Sequence, residues 1–215
     1  MNTEAHLAAG WILAHCTGAH QTRRLRAAVV FAALAPDLDA ISYIFGERAY
    51  ATYHHAVGHN LFFGVLVSLG CAALFSSRRE RWTVLLFTQL AFYSHYFGDY
   101  FLTRFPLEAF WPISHKGYVY SYRIGLDHPI NTFLGYLSFV IFALSAWTHG
   151  RTPIELISPE LDRRIVNLIR PRRESCHLCG RGANELCTKC GRFTCMRHGS
   201  VGKGFKVVCR ACGTT

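Results

Sequence analysis

Two groups of side chains in this sequence have the types and spacings that hold metal ions. The first is spread over the N-terminal two thirds. It comprises His6, the step Pro36-Asp37-Leu38-Asp39, the run His54-His55-Ala56-Val57-Gly58-His59-Asn60, the pair His95 and Asp99, and Asp127-His128. Mixed imidazole and carboxylate ligands suit zinc, and a carboxylate-rich set also admits manganese, iron or magnesium. His95 and Asp99 are four residues apart, which on a helix puts both on one face about one turn from each other. His55 and His59 share that spacing. Asp37 and Asp39, two apart, would diverge on an unbroken helix, but Pro36 removes an amide donor there and lets both carboxylates turn inward. The second group is the C-terminal run Cys176-x2-Cys179-x7-Cys187-x2-Cys190-x4-Cys195-x2-His198-x10-Cys209-x2-Cys212. Its four pairs of equal internal spacing, each able to fold as a knuckle, supply eight ligands and imply two structural zinc ions.

The elements that must position the first group are apolar. With 51% hydrophobic and 17% charged residues and a mean hydropathy of +0.16, the chain is too apolar to be disordered and reads as a membrane protein. Segments 27–45, 57–75, 82–103 and 129–149 approach the length that crosses ~30 Å of hydrocarbon at 1.5 Å per residue; a fifth, 5–16, is shorter. Residues 61–75 and 133–147 are apolar all round, which argues against a soluble helical enzyme of the phospholipase kind. The N-terminus, with Glu4 and His6 where a signal peptide carries Lys or Arg, is not expected to be one. The predicted fold is therefore all-α, a polytopic transmembrane helical bundle of four to five membrane helices plus a small cytoplasmic zinc-binding module. The predicted domains are a membrane-embedded domain at 1–149, a basic linker at 150–173 and a zinc module at 174–215.

Charge orients the bundle. Residues 1–149 carry a net +2 and residues 150–215 a net +8. Arg23, Arg24 and Arg26 precede the second segment, Arg78, Arg79 and Arg81 lie between the third and fourth, and Arg151, Arg163, Arg164, Arg170, Arg172 and Arg173 follow the last. Cytoplasmic loops retain Lys and Arg, so these three regions are expected inside and residues 46–56 and 104–128 outside. That orientation, derived without reference to chemistry, brings His6, Asp37, Asp39, His54, His59, His95, Asp99 and His128 to one outer level. Ionised groups at membrane depth are costly unless partnered or facing a cavity. Five segments converging on one layer with imidazoles and carboxylates fit a metal site between helices, while an ion-pair or proton-relay role remains the alternative. His15, His20 and His149 fall elsewhere and read as hydrogen-bonded structural residues. Lys116 and Arg123 could hold an anionic headgroup, although a solvated loop charge is the simpler reading.

His6, the Pro36 to Asp39 step, the histidine run and Ser94-His95-Tyr96-Phe97-Gly98-Asp99 through Leu102-Thr103 to Trp111-Pro112-Ile113-Ser114 resemble the membrane-bound metal-dependent hydrolases. That family is also described as LexA-binding, inner membrane-associated hydrolases. The resemblance covers about residues 1–149 and implies a helical, membrane-embedded, hydrolytic metal centre in the cell inner membrane. The family's His-Arg-Gly-x-Thr-His-Ser run aligns with His54 to Asn60, matching His54 and His59 and departing at His55, Ala56, Gly58 and Asn60. The candidate ligand set for this centre is His6, Asp37, Asp39, His54, His59, His95 and Asp99. A water on the ion would attack a phosphoester, ester or amide, with an unligated Asp or His as general base that spacing does not identify.

The tail's spacing resembles cross-brace fingers such as the AN1-type and related treble-clef modules, with a different final pair. That resemblance implies one zinc on Cys176, Cys179, Cys195 and His198 and a second on Cys187, Cys190, Cys209 and Cys212. Leu178, Leu186, Phe193, Val201, Phe205, Val207 and Val208 are too few to fold so small a module unaided, so its zinc is structural. Arg181, Lys189, Arg192, Arg197, Lys203, Lys206 and Arg210 give it a positive surface for anionic lipid, protein or nucleic acid. The stretch 159–169 reads as a short helix on the anionic inner leaflet. Two functions compete: a metal hydrolase with the bilayer around it, and a nonenzymatic membrane adaptor or ion- and proton-handling protein.

Overall fold

The computed structural model describes residues 1–17, 22–120, 124–169, 174–183, 185–201 and 207–213. His20, Arg123, Arg170, Arg172, Arg173, Lys203, Phe205 and Lys206 lie outside them. The chain divides into two units, Met1–Ile141 and Phe142–Thr215, with the division inside a long helix.

The first unit is helical. Helix α1 (Thr3–His15) is followed by α2 (Arg23–Leu34), which starts where the Thr22 hydroxyl accepts the Leu25 amide. Pro36 cannot supply an amide to the ladder, and the chain tightens into a 3-10 helix over Ala35–Phe45. Gly46, at φ 99°, ends it in a conformation that costs glycine little. After α3 (Glu47–Tyr53) the histidine run makes an irregular loop, so His55 and His59 do not share a helix face as their spacing suggested. Asn60 closes the loop by accepting the Phe63 amide at 2.8 Å, and α4 (Leu61–Ala73) begins there. Helix α5 (Arg78–Leu102) runs 25 residues, about 37 Å at 1.5 Å per residue. Helix α6 (Pro129–His149) follows the 104–128 loop, and the buried Asn131 amide ties it back by donating to the Leu102 and Gly125 carbonyls.

Small residues set the packing. A Cβ on Gly10 would come within 2.5 Å of the Ala33 methyl, and one on Gly64 within 2.6 Å of the Phe92 ring. Close helix approach over glycine and alanine is how membrane helices gain van der Waals contact without a hydrophobic driving force between them. Ala14, Val29, Ala32, Val84 and Ala91 fill the interior, while Leu66, Leu69, Leu86, Phe133 and Phe139 face outward.

Among the described residues, two helical stretches are long and apolar enough to cross a membrane, Arg23–Phe45 and Pro129–His149. For the other two expected segments, length and composition alone do not show a span. Residues 54–60 go to the loop and leave α4 only 13 residues. Helix α5 is long enough, but the expected stretch within it carries Gln89, His95 and Asp99, which lower its hydropathy.

The second unit follows α6 with a 3-10 turn (Pro153–Leu156), helix α7 (Pro159–Ile169) and a cysteine-rich region of short antiparallel pairs. Strand β1 (Glu174–Ser175) pairs with β2 (Gly182–Ala183), β3 (Glu185–Leu186) with β4 (Phe193–Thr194), and β5 (Gly199–Val201) with β6 (Val207–Cys209). A last turn, α8 (Arg210–Gly213), carries Cys212.

Candidate metal centre

Asp37 leaves the 3-10 helix, His59 the loop before α4, and His95 and Asp99 one face of α5, and the four meet. The Nε2 atoms of His59 and His95 are 3.2 Å apart, and each lies 3.2 Å from Asp99 Oδ2. Asp37 Oδ1 completes the set at 3.8 Å from His59 Nε2 and 3.5 Å from His95 Nε2. Ligands ~2.0–2.1 Å from a tetrahedral ion are separated by about 3.3–3.4 Å, so these distances are the edges of such a coordination shell.

The second nitrogens decide what the first can do. His59 Nδ1 donates to Asp39 Oδ2 at 3.0 Å, and His95 Nδ1 donates to the Ala33 carbonyl at 2.7 Å. A neutral imidazole with its proton on Nδ1 has a lone pair on Nε2. Both lone pairs then point at one spot that two carboxylate oxygens also face. With both rings in that tautomer, four acceptors stand at hydrogen-bond distance with no donor among them, and a cation at their centre removes their repulsion. The donor set therefore fits a divalent ion.

Of the other three candidates, Asp39 and His54 form with His59 a second group whose ligand atoms lie within 4.8 Å of one another, and His6 stands behind Asp99. Asp39 accepts His54 Nδ1 at 2.6 Å, the amides of His55 and Gly58 at 3.1 and 3.0 Å, and His59 Nδ1. With Oδ1 and Oδ2 so engaged, Asp39 fixes the His59 ring, the role a carboxylate plays behind a ligating histidine. His54 braces Asp39 in turn. His6 Nε2 donates to Asp99 Oδ1 at 3.1 Å, and its ring stacks on His95 with centroids 3.4 Å apart, which aims Oδ2 at the centre. The Met1 amine contacts the same Oδ1. Gly58 permits the loop to close, because a Cβ there would lie 2.1 Å from the Pro36 carbonyl oxygen. His55, at φ 70°, stacks on His59 rather than facing the four acceptors.

The remaining polar residues lie elsewhere. His128 accepts the Ile130 amide at the start of α6, His15 bonds the Trp11 carbonyl, His149 lies beside Thr148, and His115 pairs with Glu108. Lys116 sits over the Tyr118 ring. The supports that side-chain spacing did not signal are backbone groups, the Ala33 carbonyl and the His55 and Gly58 amides, and no residue type marks them in the sequence.

The tail brings its ligands together in two further sets, Cys176, Cys179, Cys195 and His198, and Cys187, Cys190, Cys209 and Cys212. Two knuckles are built alike. The Cys176 amide bonds the Arg181 carbonyl and the Gly180 amide the Cys176 carbonyl; the Cys187 amide bonds the Arg192 carbonyl and the Gly191 amide the Cys187 carbonyl. Gly180 and Gly191 turn each knuckle at φ 70° and 68°. Cys179 and Cys195 sulfurs are 3.6 Å apart, Cys190 and Cys209 sulfurs 3.7 Å, and His198 Nδ1 lies 3.5 Å from Cys195 Sγ. Zinc–sulfur bonds of ~2.3 Å in a tetrahedron separate sulfurs by about 3.8 Å, so both sets fit a zinc ion. The Cys209 amide, donating to Cys187 Sγ at 3.2 Å, brings that thiol down to about 6, toward the thiolate a metal requires. His177 is turned to the Phe193 carbonyl and belongs to neither set.

A family model described as YdjM inner membrane protein matches residues 1–158, which takes in the whole His and Asp centre and stops before the cysteine-rich tail. Comparisons with curated proteins and with solved structures gave no match.

Proposed function

We propose that this chain, which belongs to the YdjM inner membrane protein family, is a membrane-bound metal-dependent hydrolase acting at its His and Asp centre near the outer face. The observation that carries this reading is the meeting of His59, His95 and Asp99 in an equal-sided 3.2 Å triangle with Asp37 at a looser fourth corner. A catalytic ion keeps one position open, and three tight ligands beside one loose one have that form. The side chain of Asp37 is 30% exposed, against 4% or less for the other three. A divalent ion bound there, zinc before manganese, iron or magnesium, would lower the pKa of its water toward ~7. His59, His95 and Asp99 would hold that ion, and Asp37 Oδ1, at the exposed corner, would be the group placed to accept a proton. Asp39 and His6 keep His59 and Asp99 in register. The tail's two sets hold structural zinc.

In full, this reading has four membrane crossings, with 5–16 as a partial fifth segment, and a cytoplasmic tail divided at 149/150 and 173/174. A reporter fused after Arg173 is expected to read as cytoplasmic and one inserted at Tyr50 as external, following the arginine asymmetry. The opposite pair of readouts would invert the placement of the site.

One observation favours the second reading, an ion- or proton-handling membrane protein. Asp39 bridges His54 and His59, and such a carboxylate can also pass protons without a metal. Elemental analysis of the full chain, purified in detergent without chelators and titrated with zinc, separates the two. The hydrolase reading expects one ion beyond the two of the tail. A tail complement alone, unchanged on titration, removes that reading and leaves the histidines and carboxylates to the other.

A further inference from the structure

Helix α7 leaves apolar side chains in water on one face. Leu161 and Leu168 are seven residues apart, two turns along one stripe, and are 49% and 86% exposed. Ile157, just ahead of the helix, is 87% exposed. Arg164 lies beside the stripe and is exposed, whereas Arg163 points to another side and pairs with Glu185 at 3.8 Å. The opposite face carries Asp162 and Val166, both buried.

That opposite face fixes where the stripe goes. The amide and hydroxyl of Thr152 donate to Asp162 Oδ1 at 2.8 and 2.5 Å, and Thr152 and Asp162 are both buried. Thr152 stands three residues beyond His149, the end of α6. The first turn of α7 is therefore pinned beside the end of the helix that is long and apolar enough to cross the bilayer. Residues 150–173 carry six arginines against three acidic residues, a balance suited to anionic lipid.

We propose that α7 lies in the headgroup layer of the bilayer that holds α6, with Leu161 and Leu168 at the acyl boundary and Arg164 on anionic phosphates. The helix has the features of an interfacial helix: a short polar segment with an apolar stripe, a basic neighbour on the stripe's edge and no length to span. The proposal rests on the reading that α6 is embedded, and its test reports on that reading separately.

The full chain is reconstituted into vesicles of phosphatidylcholine, with and without phosphatidylglycerol, carrying a photoreactive substitution, Leu168→benzoylphenylalanine, or the same substitution at Leu144 inside α6. Position 168 is exposed, so the larger side chain is accommodated. After illumination, mass spectrometry reads lipid adducts on each peptide. The expected result is lipid adducts at both positions, with the yield at 168 raised about fivefold by phosphatidylglycerol, the factor one surface arginine contributes. Adducts at 144 with none at 168, or with only protein crosslinks at 168, or with a yield at 168 indifferent to phosphatidylglycerol, overturn the proposal and leave α6 embedded. Absence of lipid adducts at 144 overturns the embedding and the proposal with it.

Discussion

Replacing His95 or Asp99 by alanine is expected to remove one divalent ion per chain and any hydrolytic activity, while His15→Ala and His149→Ala leave both unchanged. His95 and Asp99 supply two corners of the 3.2 Å triangle and come from one face of α5, so either deletion leaves two ligands and the loose Asp37. His15 and His149 hydrogen-bond locally, far from that cluster in chemistry as well as in sequence. The supporting residues give a graded comparison. Asp39→Asn and His6→Ala should keep the ion but weaken its binding by roughly 10–100-fold, the usual loss when a group behind a ligand is removed. Competition with a chromophoric chelator measures that difference. The loss of a buried ionic partner also destabilises, by about 3–5 kcal/mol where the remaining charge is uncompensated. Melting curves taken with and without zinc therefore accompany the metal counts. Full ion occupancy in both His95→Ala and Asp99→Ala would sink the assignment of these residues as ligands.

The residue types of this centre were readable in the sequence, but their division of labour was not. Seven side chains were expected at one level; Asp37, His59, His95 and Asp99 converge on one point, Asp39 and His54 meet on the other edge of His59, and His6 stands behind Asp99. Asp37 and Asp39 show why. On a helix of about three residues per turn, positions two apart point in different directions. These two consequently clasp His59 from its two edges, Asp37 on Nε2 and Asp39 on Nδ1. Spacing could forecast that Pro36 would turn both carboxylates toward the histidines, but not which edge each would meet. His6 was legible as a polar residue at the right depth, whereas its stacking on His95 depends on the close approach of α1 and α5 at Gly98, where a Cβ would lie 3.3 Å from the His6 ring, which is a property of packing. The helix lengths diverged from expectation at 57–60, where the expected 57–75 segment began inside a loop. That loop exists because Asp39 takes the amides of His55 and Gly58, a demand made by another segment altogether. The tail was more legible, since cysteine pairs of fixed spacing carry their geometry locally and Gly180 and Gly191 follow the second cysteine of their knuckles at the same offset.

Cys187→Ser is expected to unfold the cysteine-rich region while leaving the Met1–Ile141 unit helical and its metal in place. Few apolar side chains are buried there; Ala183 and Val207 join Cys176, Cys187 and Cys209, and Leu178 and Leu186 are exposed. A region with so little core draws its folding free energy from the metal, on the order of 10–16 kcal/mol for structural zinc, so loss of one ligand is loss of the fold. Cys187 is also a junction. Its amide holds the second knuckle, its sulfur takes the Cys209 amide, and the neighbouring Thr188 amide bonds the Val207 carbonyl. The ligand sets interleave along the chain, the first and third pairs against the second and fourth, so releasing one set frees the strands that carry the other. Tryptic cleavage at Arg181, Lys189, Arg192 and Arg197 should therefore become rapid together, and both tail zinc ions should be released. Circular dichroism and the ion count of the remaining site report on the membrane unit in the same sample. A variant tail that resists trypsin without zinc would mean that its strands hold by packing alone, and the two sets of ligands would then need another reason to converge.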